Sequence, residues 1–376
     1  MNSSTASGTR PLRGALIGFG FIGSLGHAPG YLGRADVEIV AVADSCEARR
    51  KRASEVLPTA RLYHSHGELL AAEAKNLDFV DICTPPCDHA TIAHEALDAG
   101  LHVLCEKPLT TSLDEASALL AHAQSAERVL FPCHNYKHAP VVRAIREVIA
   151  SGRLGEVRSV TLNTFRNTHA KGVPEWNPHW RRQSRYSGGG ITMDHGSHTF
   201  YLAFEWLGAY PTAVSAKLSN LESGRYDTED NAAIVLTFPT GLATAQLTWT
   251  AGVRKVIYAV QGTTGAVTVD DDDLQIATMH RTLGPDVAQG AVDWKVERRS
   301  IASHWGDASH ATWFGALFDQ FKGAIARSEF VGKEALDAYR CVEVIMTAYQ
   351  SAAEGCREIA LPSARRLRDS SQLVLG

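Results

Sequence analysis

The stretch Gly188-Gly189-Gly190-Ile191-Thr192-Met193-Asp194-His195-Gly196-Ser197-His198 holds the residue types best suited to moving a proton. Three glycines suit a backbone that turns tightly or passes close to a ligand. Residues 191–207 behind them follow a helical pattern, so Asp194 and His198, four apart, share one face. A carboxylate beside an imidazole favours the charged ring and orients it. His198 is therefore the candidate general base and Asp194 its orienting partner. A helix start with an acid in its first turn and a core histidine would use the same residues. The half of the chain upstream must decide between the two.

That half opens on an apolar run, residues 13–17, followed by Gly18-Phe19-Gly20-Phe21-Ile22-Gly23. In a G-x-G-x-x-G turn the first glycine permits the sharp bend, the second lets a phosphate approach the backbone, and the third allows close helix–strand packing. A helix N-terminus behind it offers free N–H groups to a pyrophosphate. Pro29 should kink or shorten that helix. Residues 37–44 read as the second strand, and Asp44 stands 21 residues past Gly23, near the spacing of an acid that grips the adenine ribose. A carboxylate there repels a 2′-phosphate, so NAD is favoured over NADP. Arg49, Arg50 and Lys51 follow closely and would soften that preference, and a capping role would also suit Asp44.

Strand-like and helix-like runs then alternate. Strands are expected at 61–64, 78–83, 102–105 and 129–133, helices at 67–73, 89–99 and 113–126. This alternation predicts a doubly wound parallel sheet, whose ligands lie at the carboxyl ends of the strands. Gly18 to Gly23, Asp44, Thr84-Pro85-Pro86, Glu106-Lys107-Pro108 and His134-Asn135-Tyr136 then share one rim. A lysine on that rim can polarise an oxygen or exchange a proton, although a surface Glu-Lys pair would look the same in isolation.

Taken together, Gly18 to Gly23, Asp44, Thr84-Pro85 with His89, Glu106-Lys107-Pro108 and Asp194-x-Gly-Ser-His198 resemble the Gfo/Idh/MocA oxidoreductase family, in order and over nearly the whole chain. The resemblance implies an α/β Rossmann domain followed by an α+β C-terminal domain with a large, mostly antiparallel open sheet. It implies that Lys107, Asp194 and His198 are catalytic, and that the Lys107–Pro108 bond is cis. It brings Gly18, Gly20, Phe21, Ile22, Gly23, Asp44, Thr84, Pro85, His89, Glu106, Lys107, Asn135, Trp180 and Arg181 to the cofactor, NAD. Tyr136, Arg166, Trp176 and His310 are further candidates at the substrate, with the catalytic residues; a structural histidine at a helix start would suit His310 equally. Many relatives carry an acid three residues after the histidine. Here that position is Tyr201, which puts a substrate contact in doubt.

The domains expected are a flexible tail at 1–12, a cofactor-binding domain at 13–136 and a substrate-binding and oligomerisation domain at 137–376. In the latter, a helix at 140–149 precedes a strand at 157–165. Strands follow near 213–219, 232–238, 241–250, 256–262 and 267–269, then an irregular stretch at 280–308 and two helices to residue 354. Residues 166–187 read as a functional loop, rich in arginine with Trp176 and Trp180. Its basic excess would suit an anionic substrate, or else water, cofactor and neighbouring subunits. The acidic run 270–273 reads as a solvated turn, and no metal is expected.

A net charge of −4 argues against a nucleic-acid partner. No run reaches the roughly 18 apolar residues of a membrane span. Seven scattered cysteines without a Cys-x-x-Cys pair suit a reducing compartment, so a cytoplasmic protein is expected. The partners expected are a small carbohydrate or cyclitol and further copies of the chain, as a homodimer or homotetramer through the second sheet. The reaction expected is oxidation of a secondary alcohol. Redox-neutral lyase, glycosidase or epimerase chemistry through a transient ketone is the alternative, and an NAD-binding regulatory protein a remote one.

Overall fold

The computed structural model describes residues 10–280, 293–303, 305 and 310–364. Six strands form a parallel sheet in the order β3-β2-β1-β4-β5-β6. They are β1 (Leu12–Ile17), β2 (Val37–Ala43), β3 (Arg61–Tyr63), β4 (Phe79–Ile82), β5 (His102–Cys105) and β6 (Leu130–Pro132). Except in the exposed edge strand β3, their apolar runs are buried on both faces, as a sheet flanked by helices on either side requires. The order reverses direction at β1, which opens the crevice where such sheets bind ligands. Ordered structure starts before residue 13: Arg10 pairs with Asp78 at 2.6 Å and Leu12 already belongs to β1. Residues 10–12 are thus not a loose tail, and residues 1–9 lie outside those described.

The second sheet has nine strands in the order β14-β13-β12-β11-β7-β10-β9-β8-β15. They are β7 (Val157–Phe165), β8 (Ala213–Ser219), β9 (Asn231–Thr237), β10 (Leu242–Thr248), β11 (Lys255–Gly262), β12 (Gly265–Asp270), β13 (Asp273–His280), β14 (Asp293–Ser300) and β15 (Ile359–Ala360). It is antiparallel except where β7 meets β10. Strand β14 corrects the expectation of an irregular 280–308. Its residues Trp294 to Arg299 alternate polar and apolar weakly, and it is the ladder to β13 that holds them extended.

Alternation sorts each strand: Ala232, Ile234 and Leu236 face a core shared with the helices Ile191–Leu207 and Lys333–Ala353. The opposite face carries Val235, Leu242, Trp294 and Val296 into solvent.

The chain then returns to the first sheet. Helix Ala311–Ala326 sets Phe318 and Phe321 against Phe79, with ring centroids 5.7 and 5.4 Å apart. Burying each such ring contributes about 1.5–3 kcal/mol. Helix Lys333–Ala353 gives Ala338 to the first core and Ile345 and Ala348 to the second. The division expected at 136/137 is therefore not a division of cores: residues 311–353 close both sheets. Among the described residues no helix is long and apolar enough to cross a membrane.

Candidate active site

The carboxyl ends of the parallel strands and the loop after β7 enclose a cavity of about 540 Å³. All the residues expected at cofactor or substrate line it except Gly23 and His89. Gly23 lies behind the turn, where a Cβ would come within 2.4 Å of Gly18 O. His89 is buried with Thr84 O and Pro108 O each 2.9 Å from a ring nitrogen. Burial lowers its pKa, and the neutral ring has one N–H, so it donates to one of these two carbonyls and packs against the other.

The glycine turn is built as its spacing requires. Gly18 has φ +91°, and a Cβ there would meet Cys83 backbone at 2.8 Å. Around Gly20 no heavy atom lies within 4 Å of where a Cβ would sit, so a phosphate has room to reach the backbone. The following turns widen into a π-helix, Gly23–His27, before a short α segment, Ala28–Tyr31. Pro29 lies inside this continuous helical run, just after the widened turns, and the run ends two residues later, short as a proline predicts.

Asp44 holds this turn: its Oδ2 accepts Phe19 N–H at 2.7 Å and its Oδ1 accepts Cys46 N–H at 2.8 Å. Arg49 donates to Phe19 O at 2.8 Å and Ser24 Oγ at 2.9 Å, while Arg50 donates to Asp44 O at 2.8 Å. Arg49 is buried in these contacts, whereas the half-buried Arg50 is held through Nη1.

Across the cavity, the two domains meet at Lys107, whose bond to Pro108 is cis. Lys107 Nζ donates to Asp194 O at 3.0 Å and to Asp194 Oδ1 at 2.9 Å. Arg181 Nε lies 3.4 Å from the same Oδ1, and His195 Nδ1 lies 3.2 Å from Oδ2. Burial works against the Asp194 carboxylate, but Lys107 and then Arg181 outweigh it and hold its pKa well below the ordinary carboxylate range.

This corrects the expected Asp194–His198 pair. Asp194 serves Lys107, and His198 Nδ1 lies 2.7 Å from Tyr201 Oη instead. Three residues on along the helix is the next turn of the same face, so the partner was in view as a missing acid, not as a phenol. Burial, then Lys107 and His195, push the His198 pKa well below its ordinary value, so the ring is neutral. Tyr136 stacks on it, centroids 3.8 Å apart. His195, which spacing alone did not single out, lines the cavity as well.

The basic loop mostly finds protein partners. Buried Arg182 pairs with Asp230 at 3.1 Å and lies over Tyr226, 4.4 Å from its centroid. Arg181 lies 4.1 Å over Trp180, and Arg166 donates to Phe165 O at 2.8 Å and Lys255 O at 3.2 Å. Arg182 and Arg181 thus face carboxylates, while Arg166 has carbonyl partners only and its buried Nη2 has none among the described residues at the cavity wall. In the acidic run, Asp271 caps Val256 N–H and Asp272 caps Ser303 N–H, as a turn does.

Behind the cavity floor lies a buried charge cluster. His27 Nδ1 meets Asp81 Oδ2 at 2.8 Å and Nε2 meets Glu106 Oε1 at 3.0 Å. Tyr31 donates to Asp81 at 2.7 Å, and Glu106 Oε2 accepts Lys107 N–H at 3.0 Å. Burial disfavours the imidazolium, yet Asp81 and Cys83 outweigh it and raise the His27 pKa well above its ordinary value.

Comparison with known proteins agrees with this construction. Residues 12–134 match the oxidoreductase family with an NAD-binding Rossmann fold, and residues 142–268 match the GFO/IDH/MocA C-terminal domain. D-glucoside 3-dehydrogenase of Escherichia coli (strain K12) is 30% identical over 58% of this chain and 60% of its own. Inositol 2-dehydrogenase of Rhizobium meliloti (strain 1021) is 33% identical over 57% of this chain and 63% of its own. The chain thus spans about three fifths of the length of each of these relatives. The crystal structure of GenD2 from gentamicin A biosynthesis, in complex with NAD, superposes with a TM-score of 0.77 at 26% identity, covering 96% of this chain and 99% of that one. With both halves matched in order around one glycine turn and one lysine, the chain belongs to the Gfo/Idh/MocA oxidoreductase family.

Proposed function

We propose that the protein oxidises a secondary alcohol of a sugar, sugar derivative or cyclitol. The observation that carries this reading is the Lys107 amine, 2.9 Å from Asp194 Oδ1, in one cavity with His198 and the glycine turn. NAD, when bound, supplies the hydride acceptor. Gly20 leaves room for its phosphates, and Asp44, whose oxygens keep lone pairs beyond the two N–H groups they accept, is available to a ribose hydroxyl. The protein's own part is to hold the alcohol oxygen between Lys107 and His198, and to take up its proton as the carbon is oxidised. Asp194 positions Lys107. Trp176, Trp180 and Tyr136 offer flat faces to a ring. The names of the two dehydrogenase relatives support a polyhydroxylated substrate.

The test is a panel of sugars, uronates and inositols, each with NAD and with NADP, followed by absorbance of the reduced nicotinamide. Net NADH accumulation on a polyol, with NADP much the poorer cofactor, is the expected result. Turnover without net NADH would move the reading to the redox-neutral alternative. NAD binding without turnover of any substrate would leave only the regulatory scaffold.

A homodimer or homotetramer through the outer face of the nine-stranded sheet belongs to the same proposal. Val235, Leu242, Val296 and Trp294 are exposed on that one face by register. Light scattering is expected to give two or four chains, and a monomeric mass would remove this part.

A further inference from the structure

Tyr201 is 0% exposed, and its hydroxyl has two partners among the described residues: it accepts Tyr136 N–H at 3.2 Å and lies 2.7 Å from His198 Nδ1. A phenol has one hydrogen to give. If Nδ1 carried the ring proton, the phenol would accept twice and its own hydrogen would be buried with no acceptor among these contacts, which is unfavourable. If the phenol donates to a bare Nδ1, every group is satisfied. A neutral imidazole bare at Nδ1 carries its proton at Nε2. A carboxylate at position 201 would impose the opposite arrangement, because it can only accept.

Lys107 is arranged to complement this. Nζ has two acceptors on Asp194, the carbonyl at 3.0 Å and Oδ1 at 2.9 Å. The third position on the nitrogen, a hydrogen in the ammonium and the lone pair in the amine, is left for the substrate oxygen.

We propose that Tyr201 is a positioning residue that holds His198 as the Nε2–H tautomer, so that His198 donates a hydrogen bond to the substrate oxygen and Lys107 alone accepts its proton. This rests on the dehydrogenase reading above and deepens it. The balance is complete. The O–H bond breaks and its proton joins the Lys107 amine to give an ammonium, while its electron pair forms the C=O. The hydride leaves the same carbon for the nicotinamide, which is reduced as the alcohol is oxidised. The Nε2–H of His198 bears on the oxygen throughout and keeps its proton. Neutrality of the ring agrees with its burial beside Lys107 and His195.

The decisive experiment is a nitrogen-15 NMR spectrum of the histidine-labelled protein with NAD bound, with the His198 signals assigned by their loss in His198→Gln. Nε2 is expected to be the protonated nitrogen and Nδ1 the bare one. A protonated Nδ1 with bare Nε2 would overturn the proposal. Tyr201→Phe is expected to release the ring into a mixture of tautomers, and an unchanged His198 signal in that variant would remove Tyr201's role. If Tyr201→Phe does not fold, the wild-type spectrum still decides the tautomer. Kinetics give an independent reading. An amide can donate but cannot act as a base, so His198→Gln is expected to lose about 10-fold in kcat and His198→Ala about 10³-fold. Equal losses would count against a donor role. An Nε2–H ring in a protein that oxidises none of the panel would sink the dehydrogenase reading and leave the tautomer standing.

Discussion

Lys107→Ala is expected to lower turnover by about 10²–10⁴-fold while NAD affinity stays within a few-fold of wild type. The size follows from what the amine does: no other described group has its nitrogen tied to Asp194 through two hydrogen bonds at the wall of the cavity. The fold should survive the change. Asp194 keeps Arg181 at 3.4 Å and His195 at 3.2 Å as partners, so truncation leaves no unpaired buried carboxylate. The glycine turn and Asp44 lie on strands that Lys107 does not touch. Steady-state kcat beside a fluorescence titration with NADH separates the two properties. Near-normal turnover in this variant would end the assignment of Lys107, and lost NADH binding would show that it had been holding the cofactor instead.

His27→Ala should cost about 3–5 kcal/mol of folding stability, because it leaves two carboxylates buried without the cation between them. Asp81 is 0% exposed and Glu106 is 7% exposed. Tyr31 O–H and Lys107 N–H would remain to them, but neither carries a charge. Urea unfolding of the two proteins measures the difference, and a loss under about 1 kcal/mol would mean that the cluster is neutral. The pH dependence has a definite sign. The folded-state pKa of His27 is raised above its ordinary 6.5 by Asp81 and Cys83 despite burial. Its contribution is therefore complete below pH 6.5, declines as the pH rises, and is gone once the pH passes the folded-state value. Wild type should lose stability over that window more steeply than His27→Ala does.

Much of the first half was legible because its signals are local. A glycine turn, a strand-end acid and a run of alternating elements each depend on residues within a few positions. Gly18, with φ +91° against Cys83 backbone, is where its spacing put it. The second sheet was legible strand by strand but not at its edge: β14 is mostly exposed, so it shows no buried alternation, and only the ladder to β13 makes it a strand. The helices over 311–353 read correctly as helices. That their phenylalanines would fill the core of the first sheet was not legible, since nothing in a helix's period says which of two sheets its apolar face will meet.

By itself the amino-acid sequence determined the elements, their order and the set of residues that could do the chemistry. Periodicity and turn chemistry act over a few residues and leave their mark there. Only the tertiary structure decided how those residues pair. Asp194 and His198 do share a helix, yet Asp194 turns to a lysine 87 residues away and His198 to Tyr201. The first pairing is set by the meeting of two domains; the second is a contact three residues along one helix, and helical spacing alone does not say whether a residue three or four positions away will be the partner.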